Sequence, residues 1–470
     1  MKKGAKCGII IVYLSKTVRE VRGTPGNIIT NIIKYAAVPI AAALLSGCTG
    51  VSFSVDSLLT APTLTDEQSQ IRQALISRVG RNITLKYPRA GANRSAFVIA
   101  DLDGEPTEEA LVFYEYAGAE NEGIRMNLLD KDEEGNWYSV KEIAGAGTEI
   151  EQVVISAMGS GSDLDILVGY QNVTGDKTFE VYTYAANALT RIDGDSYSML
   201  EAVDINSDGK DELVTIQRMT EPETGLVYNK AFQLKLESGK IIKDDGIDMC
   251  GNVQTYLSSY KGRLPNGSPA VYIDELNTDG LLQTEIIYYR YSSLQNPVKL
   301  RSEKLLPQCI RPTGYTCADL EGNGVYLIPT TAPMLGYEDV IPEEQILKTT
   351  WSSYSGFYEF KPRFSGYHSV TDGYTMVFPP RWANDVTVKT DPETGEAVFY
   401  KYEGNINYEM TELMRIKAVT KDESEEYIYK DYRRIVTRGQ MDYLVKIPIN
   451  KREQLILTID EIQNNFYPTN

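Results

Sequence analysis

Asp204, Asn206 and Asp208 alternate with Ile205 and Ser207, Gly209 follows, and Glu212 closes the run ahead of Leu213-Val214. Oxygen-bearing side chains at every second position can turn toward one centre. Gly209 permits the sharp bend that keeps them converging. A hard cation such as Ca²⁺ takes about 6–8 oxygen ligands and mixes carboxylates, amides and backbone carbonyls. The carbonyl of Lys210 and the carboxylate of Glu212 would complete such a shell. The same residues also suit a turn in which Asp and Asn side chains bond their own backbone, and both readings stand at this level.

The pattern recurs. Asp101, Asp103, Glu105 and Glu109 precede Ala110-Leu111-Val112, with Pro106 where glycine is expected, and form a weaker candidate for the same cation. Glu275, Asn277, Asp279 and Gly280 precede Glu285-Ile286-Ile287, with Gln283 in the last ligand place. Asp319 to Gly324 has Leu327 there, and Gly159 to Asp165 lacks most ligands, so these two read as plain turns.

Other chemistry is sparse. One histidine, His368, stands in the whole chain, which leaves no His-rich zinc site. It reads as a solvent or interface residue near a domain junction. No cysteine pair has zinc-finger spacing, and no glycine-rich phosphate loop opens a helix. The 65 acids leave room for a glycosidase-like carboxylate pair, but no spacing singles one out. The 32 tyrosines suit strands and sheet packing more than a binding surface.

The elements around the acidic loops are strands. Ala96–Ala100, Ala110–Tyr114, Ile166–Tyr170, Leu213–Ile216 and Glu285–Tyr289 are short, β-branched or aromatic runs bounded by Asp, Gly and Asn. The loops begin near 101, 157, 204, 275 and 319. Spacing of this order points to repeat architectures, and strand-rich units with a loop in a fixed place suit propeller blades. The expected fold is mainly β: a propeller over 83–366 with about five blades, or six or seven if copies have eroded. A capping box at Thr65 and Gln68 starts a short helix within 65–82. A small α+β domain over 367–470 follows, with Leu455, Ile459, Ile462 and Phe466 at helical spacing.

The acidic copies resemble the FG-GAP/VCBS-type repeats of integrin-like β-propellers over roughly 95–330. That resemblance implies a Ca²⁺ in each intact loop, usually with Asp where this chain has Glu212. The segment Ala96–Tyr114 also resembles, more loosely, repeat-bearing lipoproteins of Gram-positive bacteria.

Leu45-Ser46-Gly47-Cys48 ends an apolar run from Tyr35, behind Arg19, Arg22 and Lys34. This is the layout of a secretory signal, and it resembles a bacterial lipobox. The resemblance implies cleavage after residue 47, lipidation of Cys48 and retention at the outer face of the cell membrane, with 48–64 as a tether. A short transmembrane anchor is the competing reading, although the run is short of the roughly 20 residues a span needs.

The chain carries a net charge of -18, and the loss of 1–47 would leave about −24. Such acidity disfavours nucleic acid. Cys250, Cys309 and Cys317 remain beyond Cys48, as three buried thiols or with Cys309 and Cys317 closing a loop.

These features lead to an expected lipid-anchored binding or scaffolding protein for an unknown surface protein or glycan, without catalysis. The alternative is an extracellular hydrolase or lyase acting on polysaccharide or peptide. Clustered acids, or a Lys/Arg/Tyr set, at the mouth of the propeller would favour that alternative.

Overall fold

The computed structural model describes residues 64–118, 123–159, 164–300, 305–449 and 453–469. The signal segment 1–47, Cys48 and the tether to residue 63 lie outside the described residues. No helix among the described residues is long and apolar enough to cross a membrane.

The chain divides into two compact units, Met1–Ser69 and Gln70–Asn470. Helix α1 (Asp66–Val79) carries the expected capping box. Gln68 N–H donates to Thr65 Oγ1 at 3.1 Å, and Thr65 N–H donates to Gln68 Oε1 at 3.2 Å. The helix stops at Gly80, whose φ of 89° a glycine tolerates.

Six antiparallel sheets make up the second unit. Sheet 1 holds Ile83–Leu85, Phe97–Ala100, Glu109–Tyr116, Arg125–Lys131 and Trp137–Ala144. Sheet 2 holds Glu149–Ser156, Asp165–Gln171, Lys177–Ala185 and Ala188–Tyr197. Sheet 3 holds Met199–Val203, Glu212–Thr220, Val227–Glu237, Lys240–Lys243 and Ile247–Asp248. Sheet 4 holds Val253–Arg263, Pro269–Asn277, Leu282–Arg290, Ser293–Gln295 and Ile310–Arg311.

Successive sheets pack face to face, and strand alternation divides each sheet between two neighbours. In sheet 3, Leu213 enters the core shared with Leu167 and Phe179 of sheet 2. Its successor Val214 enters the core shared with Val271 and Ile273 of sheet 4. In sheet 2, Ile166 and Val168 face Phe113 and Met126 of sheet 1. Burial on both faces explains why these strands read as continuous apolar runs rather than as alternating ones.

Sheet 5 holds Ile328–Pro333, Leu347–Gly356, Glu359–Ser369 and Tyr374–Val377, and the terminal strand Phe466–Pro468 pairs along its edge. Sheet 6 holds Val386–Thr390, Ala397–Lys401, Glu412–Thr420, Arg433–Arg438 and Met441–Lys446. Helices α2 (Lys421–Ile428) and α3 (Ile459–Asn464) accompany it.

The expected start of an α+β domain at 367 falls inside the strand Glu359–Ser369. Met334 and Tyr337 pack in one core with Trp382, Phe399, Tyr443 and Phe466, and Tyr337 OH donates to Val388 O at 3.0 Å. Sheets 5 and 6 therefore share one core, and a separate C-terminal domain is not resolved from the rest of the unit. Only Ile459–Asn464 of the C-terminal apolar spacing is helical, because Phe466 opens the edge strand of sheet 5.

His368 is an interior residue, not a solvent one. Its Nε2 lies 3.2 Å from Gly314 O and its Nδ1 2.9 Å from Thr375 Oγ1. Burial holds its pKa below the usual imidazole value. Cys250, Cys309 and Cys317 are buried free thiols.

Candidate functional site

The acidic copies do not share one structural place. Residues 101–108, 157–164 and 204–211 lie between the paired strands Phe97–Ala100 and Glu109–Tyr116, Glu149–Ser156 and Asp165–Gln171, and Met199–Val203 and Glu212–Thr220. In sheet 4 the copy at 278–281 joins the second and third strands, and 319–324 lies ahead of sheet 5.

The three loops of sheets 1 to 3 share one device. The first residue of each following strand is a buried acid that accepts a backbone N–H from seven residues earlier. Glu109 accepts from Leu102 at 2.7 Å, Asp165 from Met158 at 3.2 Å and Glu212 from Ile205 at 3.2 Å. Asp165 accepts Gly159 N–H as well, at 2.7 Å. The loops are also laced to one another. Leu164 N–H reaches Leu102 O at 3.2 Å, Asp211 N–H reaches Ala157 O at 3.0 Å, and Ser156 donates to Asp211.

In the 204–212 loop the side chains are spent internally. Asp204 accepts Asp208 N–H at 2.9 Å and Gly209 N–H at 3.0 Å. Asp208 accepts Lys210 N–H at 3.0 Å. The Asn206 amide donates to Asp208 and Glu212, and the Lys235 ammonium stands 3.8 Å from Glu212 Oε1. Burial, first of all, raises the Glu212 pKa. Bonds of the same kind occur in the 101–109 loop, where Asp101 accepts Gly104 N–H at 2.8 Å and Asp103 accepts Glu105 N–H at 3.2 Å.

The weaker candidate is the one that converges. Asp101, Asp103 and Glu109 bring carboxylate oxygens within 4.8 Å of one another. Burial, opposed by the Leu102 N–H and reinforced by the Asp103, Asp130 and Asp101 charges, lifts Glu109 to about 7. Glu105 is exposed and outside this group. A divalent cation would relieve the repulsion that these three carboxylates carry.

At the opposite end of sheets 2 and 3, where second strands turn into third strands, a cleft of about 470 Å³ opens. Lys177, Tyr197, Gln217, Arg218, Asn229 and Tyr256 line it, drawn from sheets 2, 3 and 4. An adjoining hollow shares Lys177, Tyr197 and Tyr256 and extends to Gln152 and Ser259.

Most polar groups of the cleft are tied. Lys177 Nζ pairs with Glu151 Oε2 at 2.8 Å. Gln217 Nε2 donates to Asp195 Oδ2 at 2.8 Å and Ser196 O at 2.7 Å, and its Oε1 accepts from Lys243 Nζ at 2.6 Å. Asn229 Nδ2 donates to Cys250 O at 2.8 Å. Arg218 is exposed, and among the described residues no carboxylate lies within ion-pair distance of it. The hydroxyls of Tyr197 and Tyr256 are buried without a partner.

Behind Tyr256, and directly across the strand pair from it, stands Glu275. Glu275 and Glu285 are fully buried; Glu285 Oε1 accepts Cys250 N–H at 3.0 Å and Asn296 Nδ2 at 2.6 Å. Burial lifts both carboxyls. Two anions side by side in a dry interior repel, which opposes the ionisation of both. Tyr256, beside this pair and mostly buried, is held well above the usual phenol value, burial being the main cause.

No spacing in the sequence marks Lys177, Tyr197, Arg218 and Tyr256 as a set. They converge only because three sheets stack.

Neither a family model nor a curated protein sequence matches the chain. Solved structures do. A rhamnogalacturonan lyase of Bacillus licheniformis aligns at TM-score 0.30 and 10% identity, over 68% of this chain and 74% of that one. A periplasmic gluconolactonase of Pseudomonas aeruginosa aligns at TM-score 0.25 and 10% identity, over 63% and 79%. An endo-arabinase of Bacteroides thetaiotaomicron aligns at TM-score 0.24 and 10% identity, over 62% and 99%. The expected non-catalytic binding or scaffolding role is corrected at this point: the similar structures named here are of enzymes, and at these TM-scores the likeness assigns this chain no activity. The chain is mainly β, built of stacked antiparallel sheets.

Proposed function

We propose that this protein is an extracellular enzyme acting on polysaccharide, with the cleft between sheets 2, 3 and 4 as its substrate site. The observation that carries this reading is the Lys177, Tyr197, Arg218 and Tyr256 set around a cleft of about 470 Å³. Concave sites with a few convergent polar groups are the default place for a ligand. The half-buried Tyr256 ring lies along the cleft, and Arg218 offers an uncommitted donor fork.

In the same reading the stacked sheets are blades of a closed propeller of FG-GAP/VCBS type. Asp101, Asp103 and Glu109 take a Ca²⁺ that stiffens the loop end, and Cys48 carries the lipid that holds the chain at the outer face of the membrane. The face-to-face cores and the converging carboxylates support the first two, and the lipobox resemblance the third.

The test is turnover. The purified chain from residue 48 onward is incubated with plant and bacterial polysaccharides, and products are followed both as new reducing ends and as ultraviolet absorbance of unsaturated sugars. Expected is cleavage of at least one polysaccharide that Tyr256→Phe or Arg218→Gln reduces. No new ends on any of them would overturn the reading.

A further inference from the structure

We infer that the cleft selects an acidic glycan, and that Arg218 binds the carboxylate of a uronic acid unit. This rests on the cleft being the substrate site. The cations near it are not equivalent. Lys177 is bound to Glu151, and Lys243 to Asp195 and to the Gln217 carbonyl. Arg89 stands within 3.7 Å of Glu149 and 3.6 Å of Glu151. Arg218 alone among the cleft-lining cations has no carboxylate partner among the described residues.

Arg218 is exposed on the cleft wall, whereas its strand neighbour Gln217 is buried and bonded to Asp195 and Lys243 on the other face. The guanidinium is thus available at the cleft wall, which it shares with Tyr256.

A planar guanidinium matches a carboxylate with two parallel hydrogen bonds, and it does so better than a lysine ammonium. A bulk charge of -18 repels polyanions from most of the surface. An uncommitted arginine inside a cleft then acts as the local exception that sets register along an acidic chain.

Binding is measured by calorimetry at low and moderate salt, using polygalacturonate, its fully methyl-esterified form and a neutral galactan. Expected is binding of polygalacturonate that weakens with salt and with esterification. Arg218→Gln should cost roughly tenfold to a hundredfold in affinity, as for loss of a charge-assisted pair, and Arg218→Lys should recover part of it. Arg218 is exposed, so the variants should melt like the parent. Equal binding of the ester and the acid, or affinity unchanged in Arg218→Gln, overturns the inference while leaving the enzyme reading to the turnover assay. Arg218-dependent binding of polygalacturonate without cleavage of any polysaccharide upholds the inference and defeats the enzyme reading.

Discussion

The two ends of sheets 2 and 3 are built on opposite principles. At one end Asp165, Glu212 and Asp211 are spent on backbone N–H groups and on contacts between neighbouring loops. At the other end the strands splay to leave a cleft, with Arg218 unpaired and the Tyr197 and Tyr256 hydroxyls unsatisfied. The acid-rich end, more conspicuous in sequence, is mostly a clamp. The inconspicuous end keeps groups in reserve, which is where a ligand has something to bind. In the proposed reading, stability and function are thereby separated along the strand axis.

That separation can be broken by substitution. Asp165→Ala removes the acceptor of two N–H groups at a buried position, Met158 and Gly159. Each orphaned buried donor costs about 1–3 kcal/mol, so a loss of roughly 3 kcal/mol in a denaturant melt is expected. A loss below about 1 kcal/mol would show that the loops are not clamped by their acids.

Next in size is the cation. At one hundred times Kd a ligand of the folded state adds about 2.7 kcal/mol. Glu109 has its pKa raised to about 7 when no cation is present. Its carboxylate is disfavoured in the fold, so without metal its contribution to stability falls as pH rises from the unfolded value of 4.5 through 7. A cation needs the carboxylate and competes with that proton. The Ca²⁺-induced rise in melting temperature should therefore be larger at pH 8 than at pH 5.5 and be lost in Glu109→Gln. A shift of the same size at both pH values, or in the variant, would exclude Asp101, Asp103 and Glu109 as the site.

Smaller still is the carboxyl pair under the cleft. Because burial raises Glu275 and Glu285, their ionisation opposes folding as pH climbs above the unfolded carboxylate range. Glu275→Gln keeps the shape and removes one titration. It should be near neutral at pH 5 and stabilise by about 1 kcal/mol at pH 9, as read from melts across pH. Destabilisation at both pH values would mean that both carboxylates are needed ionised.

The smallest effect on stability is expected at Arg218. Its exposed and unpaired side chain makes Arg218→Gln neutral within about 0.5 kcal/mol, while glycan affinity falls. A variant that loses both together would erase the division between the two ends.

The strands were legible because runs such as Ala110–Tyr114 and Leu213–Ile216 are β-branched, aromatic and bounded by turn residues. The capping box at Thr65 was legible because it is a local exchange of two hydrogen bonds. The ranking of the acidic loops was not. Asp204 to Glu212 has the better ligand spacing, yet its side chains close on their own N–H groups and on Lys235, which comes from the next strand. Asp101, Asp103 and Glu109 converge despite Pro106. The boundary near 367 was misplaced because the texture of the sequence changes there, while the core shared by Met334, Tyr337 and Trp382 ignores that change.

What the sequence determined by itself is local: the strand character, the turn chemistry, the net charge of -18 and the single histidine. These depend on residue type and on neighbours a few positions away. What only the tertiary structure decided is which groups end up without a partner. Lys177, Tyr197, Arg218 and Tyr256 come from three sheets, and the sequence carries no signal for whether a carboxylate from a distant strand reaches an arginine. Here sheet stacking gives Lys177 an acid and leaves Arg218 without one at the wall of the same cleft.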